Sequence, residues 1–86
     1  MNEQINEKVS VVSVYDRFKG TVAPVKIRWQ GKEYTITKFG YYHKRKEGRV
    51  IIHTFSVSTD NMFFKLCCNS ETLHWTLEEV SDGLAS

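Results

Sequence analysis

Apolar and polar side chains alternate with period two along most of the chain, and β-branched and aromatic residues are in excess, so the pattern predicts strands. The turn at Gln30-Gly31 shows how the registers are tested. A two-residue hairpin loop there sets Trp29 against Lys32, Ile27 against Tyr34 and Val25 against Ile36 on one face. The other face receives Arg28 with Glu33 and Lys26 with Thr35. Apolar residues meet apolar ones and an ion pair lands outside, as cross-strand energetics favour.

Asp60-Asn61 behaves in the same way. It pairs Val57 with Phe64, Phe55 with Leu66 and His53 with Cys68, leaving Ser56/Lys65 and Thr54/Cys67 on the reverse. A four-residue loop, Asn69–Thr72, then pairs Cys68 with Leu73, Leu66 with Trp75 and Phe64 with Leu77. The same residues of the middle strand face inward in both pairings. A one-residue slip would turn every side chain over, so this agreement supports the register.

The segment Tyr41–Arg49 is open between two conformations. A turn at Glu47-Gly48 places Tyr42 opposite His53 and Gly40 opposite Phe55; the alternative is a longer, mobile basic loop. Near the start, Val9 and Val11, then Val12 and Val14, switch phase, which predicts a bulge in the first strand. Pro24 suits an edge position or a strand start. Leu77–Val80 is a candidate helical turn, and residues 1–7 and 81–86 read as flexible tails of a domain spanning 8–80.

The expected fold is all-β: a single-domain, six-stranded antiparallel meander curled into a small barrel or roll, closed by the first strand. Its inner face holds Ile27, Trp29, Tyr34, Ile36, Phe55, Val57, Phe64, Leu66, Trp75 and Leu77. Eighty-six residues, 41% hydrophobic and 26% charged, suit one small folded domain and exclude wholesale disorder. The longest uncharged stretch, Val50–Thr59, is far short of a membrane span, and MNEQINEKVS lacks the apolar core of a signal peptide. A cytoplasmic protein without membrane contact is expected.

Candidate chemistry is sparse. Cys67 and Cys68 are adjacent, so on a strand they point to opposite faces; one buried small hydrophobe and one inert surface thiol are expected, not a disulfide. His43, His53 and His74 lack metal-ligand spacing. Glu78 and Glu79 are neighbours that point apart, and His53 reads as a core histidine bonded to Tyr42. No nucleophile motif or phosphate loop is present, so neither enzymatic activity nor a cofactor is expected.

Charge changes the picture. Arg17 to Arg49 holds ten Lys/Arg against Glu33 and Glu47 alone, while both flanks are net acidic. The outward face carries Lys26, Arg28, Phe39, Tyr41, Phe63 and Lys65, which Lys44, Arg45, Lys46 and Arg49 extend. Rings interleaved with cations suit single-stranded nucleic acid, since bases stack on rings while Lys and Arg follow phosphates. A non-catalytic binding module is therefore expected. The alternative is a protein-interaction or homodimerisation module that buries Phe39, Tyr41 and Phe63 against a partner.

The order Trp29-x-Gly31-x-x-Tyr34-x-Ile36, His53-x-Phe55-x-Val57, Phe64-x-Leu66 and Trp75-x-Leu77-x-x-Val80 adds one hint. Over residues 24–80 it resembles a family of small, uncharacterised bacterial all-β domains encoded near accessory genes for translesion polymerases. That resemblance implies an association with DNA-damage tolerance and transfers no catalytic residue.

Overall fold

The computed structural model describes residues 2–82, which form seven strands. These are β1 (Asn2–Asp16), β2 (Thr21–Trp29), β3 (Lys32–Thr35), β4 (Lys38–Glu47), β5 (Val50–Ser58), β6 (Met62–Asn69) and β7 (Trp75–Asp82). All pairings are antiparallel, in one sheet of order β3-β2-β1-β7-β6-β5-β4. The all-β expectation holds, but two parts of it are corrected. There are seven strands instead of six, and the sheet is not closed into a barrel.

Both corrections have one cause. The stretch expected as a single third strand breaks at Ile36-Thr37. Ile36 N–H still donates to Val25 O at 3.0 Å, in register with β2, whereas Thr37 N–H donates to Ser58 O at 2.8 Å, beside β5. Two residues thus carry the chain from one edge of the sheet to the other. The edges meet at that corner, but no ladder joins β3 to β4.

The sheet bends over itself along β1, whose residues 2–9 pair with β7 and residues 10–16 with β2. The β2–β3 hairpin consequently lies across β5, β6 and β7. Phe64 receives Tyr34 at 5.1 Å and Trp29 at 6.3 Å between ring centroids, both edge-on, as aromatic quadrupoles prefer. The core is Ile27, Phe55, Val57, Phe64, Leu66, Leu77 and Val80, with Ile5, Val9, Trp29, Tyr34, Ile36, Met62 and Trp75 packed against it. All ten residues expected to face inward belong to this cluster. Ile27, Leu66 and Leu77 have no exposed surface, and burying each such side chain contributes about 1.5–3 kcal/mol.

The Gln30-Gly31 and Asp60-Asn61 registers agree pair for pair with the expected ones. The last hairpin differs. Asn69 Oδ1 accepts the N–H groups of Glu71 (2.8 Å) and Thr72 (3.1 Å), and Leu73 adopts φ of 62°, so the loop is longer than four residues. Cys68 therefore faces Trp75, and Leu66 faces Leu77. A bulge at Glu78 then brings Val80 opposite Phe64. Leu77–Val80 is strand, not a helical turn, because it completes this ladder.

Residues 2–7 belong to β1 and pair with β7, so the first strand starts before the expected domain boundary at residue 8. Ser81 and Asp82 end β7; the rest of the expected tail, 83–86, lies outside the described residues. The irregularity expected in the first strand falls between Val12 and Ser13, but the extra residue is in β2: Val12 faces Lys26 and Ser13 faces Pro24, skipping Val25. Beyond it the two strands continue as an arm. Its turn is tied by Asp16 Oδ1, which accepts Phe18 N–H at 2.9 Å and Lys19 N–H at 3.2 Å. Gly20 N–H donates to Asp16 O at 2.7 Å with φ of 66°, a conformation glycine adopts without strain.

Candidate nucleic-acid interface

Of the two conformations expected for the segment 41–49, the hairpin is the one observed, with its turn one residue later than Glu47-Gly48. The segment is the second half of β4, joined to β5 by a two-residue turn at Gly48-Arg49. Gly48 has φ of 63°, which the turn requires. The basic run is thus strand and not loop. Tyr42 faces Phe55 instead of His53, and Gly40 lies in a bulge between Phe39/Val57 and Tyr41/Ser56 instead of facing Phe55. From Tyr41 to Glu47 the ladder is offset by two positions from the expected one, so these side chains keep their faces; before the bulge the offset is one, and Phe39 lies opposite Val57. The expected contact survives on the diagonal: Tyr42 OH lies 2.7 Å from His53 Nδ1, and the rings stack at 5.9 Å.

Strand alternation divides the cations. Tyr42, Lys44 and Lys46 share the side of Phe55, His53 and Ile51, while Tyr41, His43, Arg45 and Glu47 share the other. Arg45 Nε donates to Glu47 Oε2 at 2.9 Å, which holds the guanidinium more firmly protonated. Tyr41 lies 5.3 Å from His43 between ring centroids.

At the level of Gly40 an open groove of about 340 Å³ crosses β4 to β7. Phe39, Phe63, Lys38, Lys65 and Glu79 border it, and Ser56, Ser58 and Ser81 contribute small side chains. The two rings are half exposed. Lys65 is already engaged, with Glu79 at 3.6 Å and Glu78 at 3.8 Å.

Lys26 and Arg28 are elsewhere. They sit on the outer surface of β2, and because β2 folds across the core, that surface points away from the outer surface of β4–β6. Glu33, which faces Arg28 in the ladder, makes its ion pair with Lys26 at 3.8 Å instead. The ten expected contact residues therefore do not form one surface. Phe39, Tyr41, Lys44, Arg45 and Lys46 lie on β4, Arg49 in the turn after it, and Phe63 and Lys65 on β6, one strand further in. Lys44 and Lys46 alternate to the side opposite Tyr41 and Arg45 instead of extending the outward face, and Lys26 and Arg28 do not join the others.

Two members of the site went unassigned in the sequence: Lys38, at the groove mouth, and Tyr42, next to the cations. A glycine inside an aromatic strand was the available signal, since it marks a bulge or a close approach. Lys38, Lys44, Lys46 and Arg49 make no ion pair among the described residues.

The cysteines offer no activated nucleophile. Both are free; Cys67 is buried on the outer side, 3.4 Å from Thr54 Oγ1, and Cys68 is half-buried on the inner side. Burial, followed by the neighbouring Glu78, pushes the Cys67 thiol up, and burial pushes Cys68 up. Both stay protonated at neutral pH, so alkylation of the native protein by iodoacetamide should be much slower than in denaturant. Labelling at equal rates in both states would contradict this. No group of three His, Cys, Asp or Glu among the described residues is placed to hold a metal ion. Compared with known proteins, the chain matches no family model, no curated protein and no solved structure.

Proposed function

We propose that this domain is a non-catalytic module that binds single-stranded nucleic acid along β4. The observation that supports the reading is the make-up of that strand. It is an exposed edge whose first half offers Phe39, Tyr41 and Tyr42 and whose second half offers Lys44, Arg45 and Lys46. At about 3.3 Å per residue it is roughly 30 Å long, suited to a strand of several nucleotides. Bases stack at the groove end on Phe39 and Phe63, and phosphates follow the cations toward Arg49. A role in DNA-damage tolerance, implied by the resemblance of residues 24–80, belongs to the same proposal.

Electrostatics decides which cations matter. Lys65 and Arg45 already hold carboxylates, so Lys38, Lys44, Lys46 and Arg49 dominate phosphate neutralisation. Four phosphates at about 0.7 counterion each give a log–log salt slope near −3. Replacing both Lys44 and Lys46 with alanine should make the slope shallower by about 1.4. Phe63→Ser should instead weaken binding at every salt concentration by about 1–3 kcal/mol and leave the slope alone. Fluorescence anisotropy with a random oligonucleotide of about 12 nucleotides measures both. Absence of binding at low salt, or variants that alter neither affinity nor slope, would sink the reading and leave the aromatic groove as a protein contact.

A further inference from the structure

We infer that two copies of this chain pair through the free edge of β1, between Val11 and Tyr15, about a two-fold axis at Ser13. The sheet has three open edges, and they are not equivalent. β3 is only four residues long, and β4 carries Lys38, Lys44 and Lys46. Short strands and edge lysines are the usual devices against strand addition. The third edge lies where β1 has left β7 for β2: Ser10–Asp16 pair with β2 on one side and, among the described residues, with no strand on the other. The stretch Ser10–Tyr15, SVVSVY, is uncharged and rich in β-branched residues. Nothing on it opposes pairing.

Its pattern fits a second copy better than a charged partner. With antiparallel pairing centred on Ser13, Val12 meets the partner's Val14 on one face, and Val11 meets the partner's Tyr15 on the other. Val12, Val14 and Tyr15 are all more than half exposed in the single chain. The same axis carries the partner's arm tip toward the point where β1 leaves β7. There an open groove of about 320 Å³ is lined by Lys8, Val9, Val11, Leu73, His74 and Trp75. The two most exposed large apolar side chains among the described residues, Phe18 at 86% and Leu73 at 70%, are brought together by that register. The partner's Asp16 approaches Lys8, of opposite charge. One symmetric contact thus accounts for an unguarded edge, an apolar arm and a groove, as an isologous interface requires.

Sedimentation equilibrium of the full chain should show a mass rising with concentration toward twice the 10.0 kDa of one chain. The double variant Val12→Lys/Val14→Lys should retain the wild-type far-UV spectrum, because both positions are exposed, and raise the dissociation constant at least tenfold. Ser13→Cys tests the register: under mild oxidation it should form a covalent dimer, while Lys19→Cys should not. A single-chain mass at every concentration overturns the inference. So does a dimer that tolerates both lysines but dissociates on Phe63→Ser, which places the contact at β4. Oligonucleotide binding by the lysine variant is read separately, so the fate of the β4 proposal does not depend on this outcome.

Discussion

Leu66→Ala is expected to destabilise the domain by about 2–5 kcal/mol, the range for truncating a buried leucine whose cavity only partly collapses. Leu66 has no exposed surface and sits opposite both Phe55 and Leu77, at the centre of β5, β6 and β7. A chain of this size has a total stability of roughly 5–10 kcal/mol, so the variant should lose a large share of it. Lys46→Ala, at an exposed position on β4, should stay within about 0.5 kcal/mol of wild type. Urea denaturation followed by tryptophan fluorescence checks both. Equal midpoints for the two variants would contradict the inward orientation of Leu66.

Ile27→Ala should cost a similar amount, about 2–5 kcal/mol, but should distribute the damage differently. Ile27 is the fully buried apolar residue that β2 contributes to the core. The β2–β3 hairpin is held otherwise by β1 and by half-buried Trp29, Tyr34 and Ile36. Removing the Ile27 side chain loosens this layer from Phe64 before β5 and β6 open. Amide exchange should therefore accelerate at Lys26–Thr35 more than at Phe55–Val57. Uniform acceleration across all strands would show that the hairpin and the central strands open as one unit.

How much of this was legible in the sequence follows from parity. The inward set survived because the errors in pairing were offsets of two, except beyond the bulges at Gly40 and Glu78. Tyr42 met Phe55 instead of His53, and Cys68 met Trp75 instead of Leu73, yet an even offset leaves each side chain on its face. The tight hairpins at Gln30-Gly31 and Asp60-Asn61 were readable because short turns fix register locally. The loop after Asn69 was not, because the Asn69 side chain takes over two backbone donors and the count of loop residues changes.

The break at Ile36-Thr37 was hidden for a different reason. Both residues are β-branched and suit a strand; only the distant acceptor Ser58 O shows that Thr37 has left β3. This break also dispersed the expected interface. A flat meander would have shown Lys26 and Arg28 beside Lys65, whereas the folded-over hairpin turns them to the opposite side. The basic segment 41–49 stayed open between a hairpin strand and a loop because its polar density imitates a loop. On an edge strand, both faces near the strand end reach solvent, and charge carries no periodic signal.

The partner switch in β1 also fixes an order of events during synthesis. The β1–β2 arm and the β2–β3 hairpin join neighbouring segments and can form as soon as they leave the ribosome. The first half of β1 has its ladder with β7, the last of these seven strands to emerge. Until then Ile5 and Val9, which pack against the finished core, have no strand to pair with. Pairing between the two ends of the described chain makes the closing step a long-range one, and such topologies fold on the millisecond-to-second scale. The nascent domain therefore waits on its final strand with a sticky first strand exposed, and that interval is when a chaperone would be needed most.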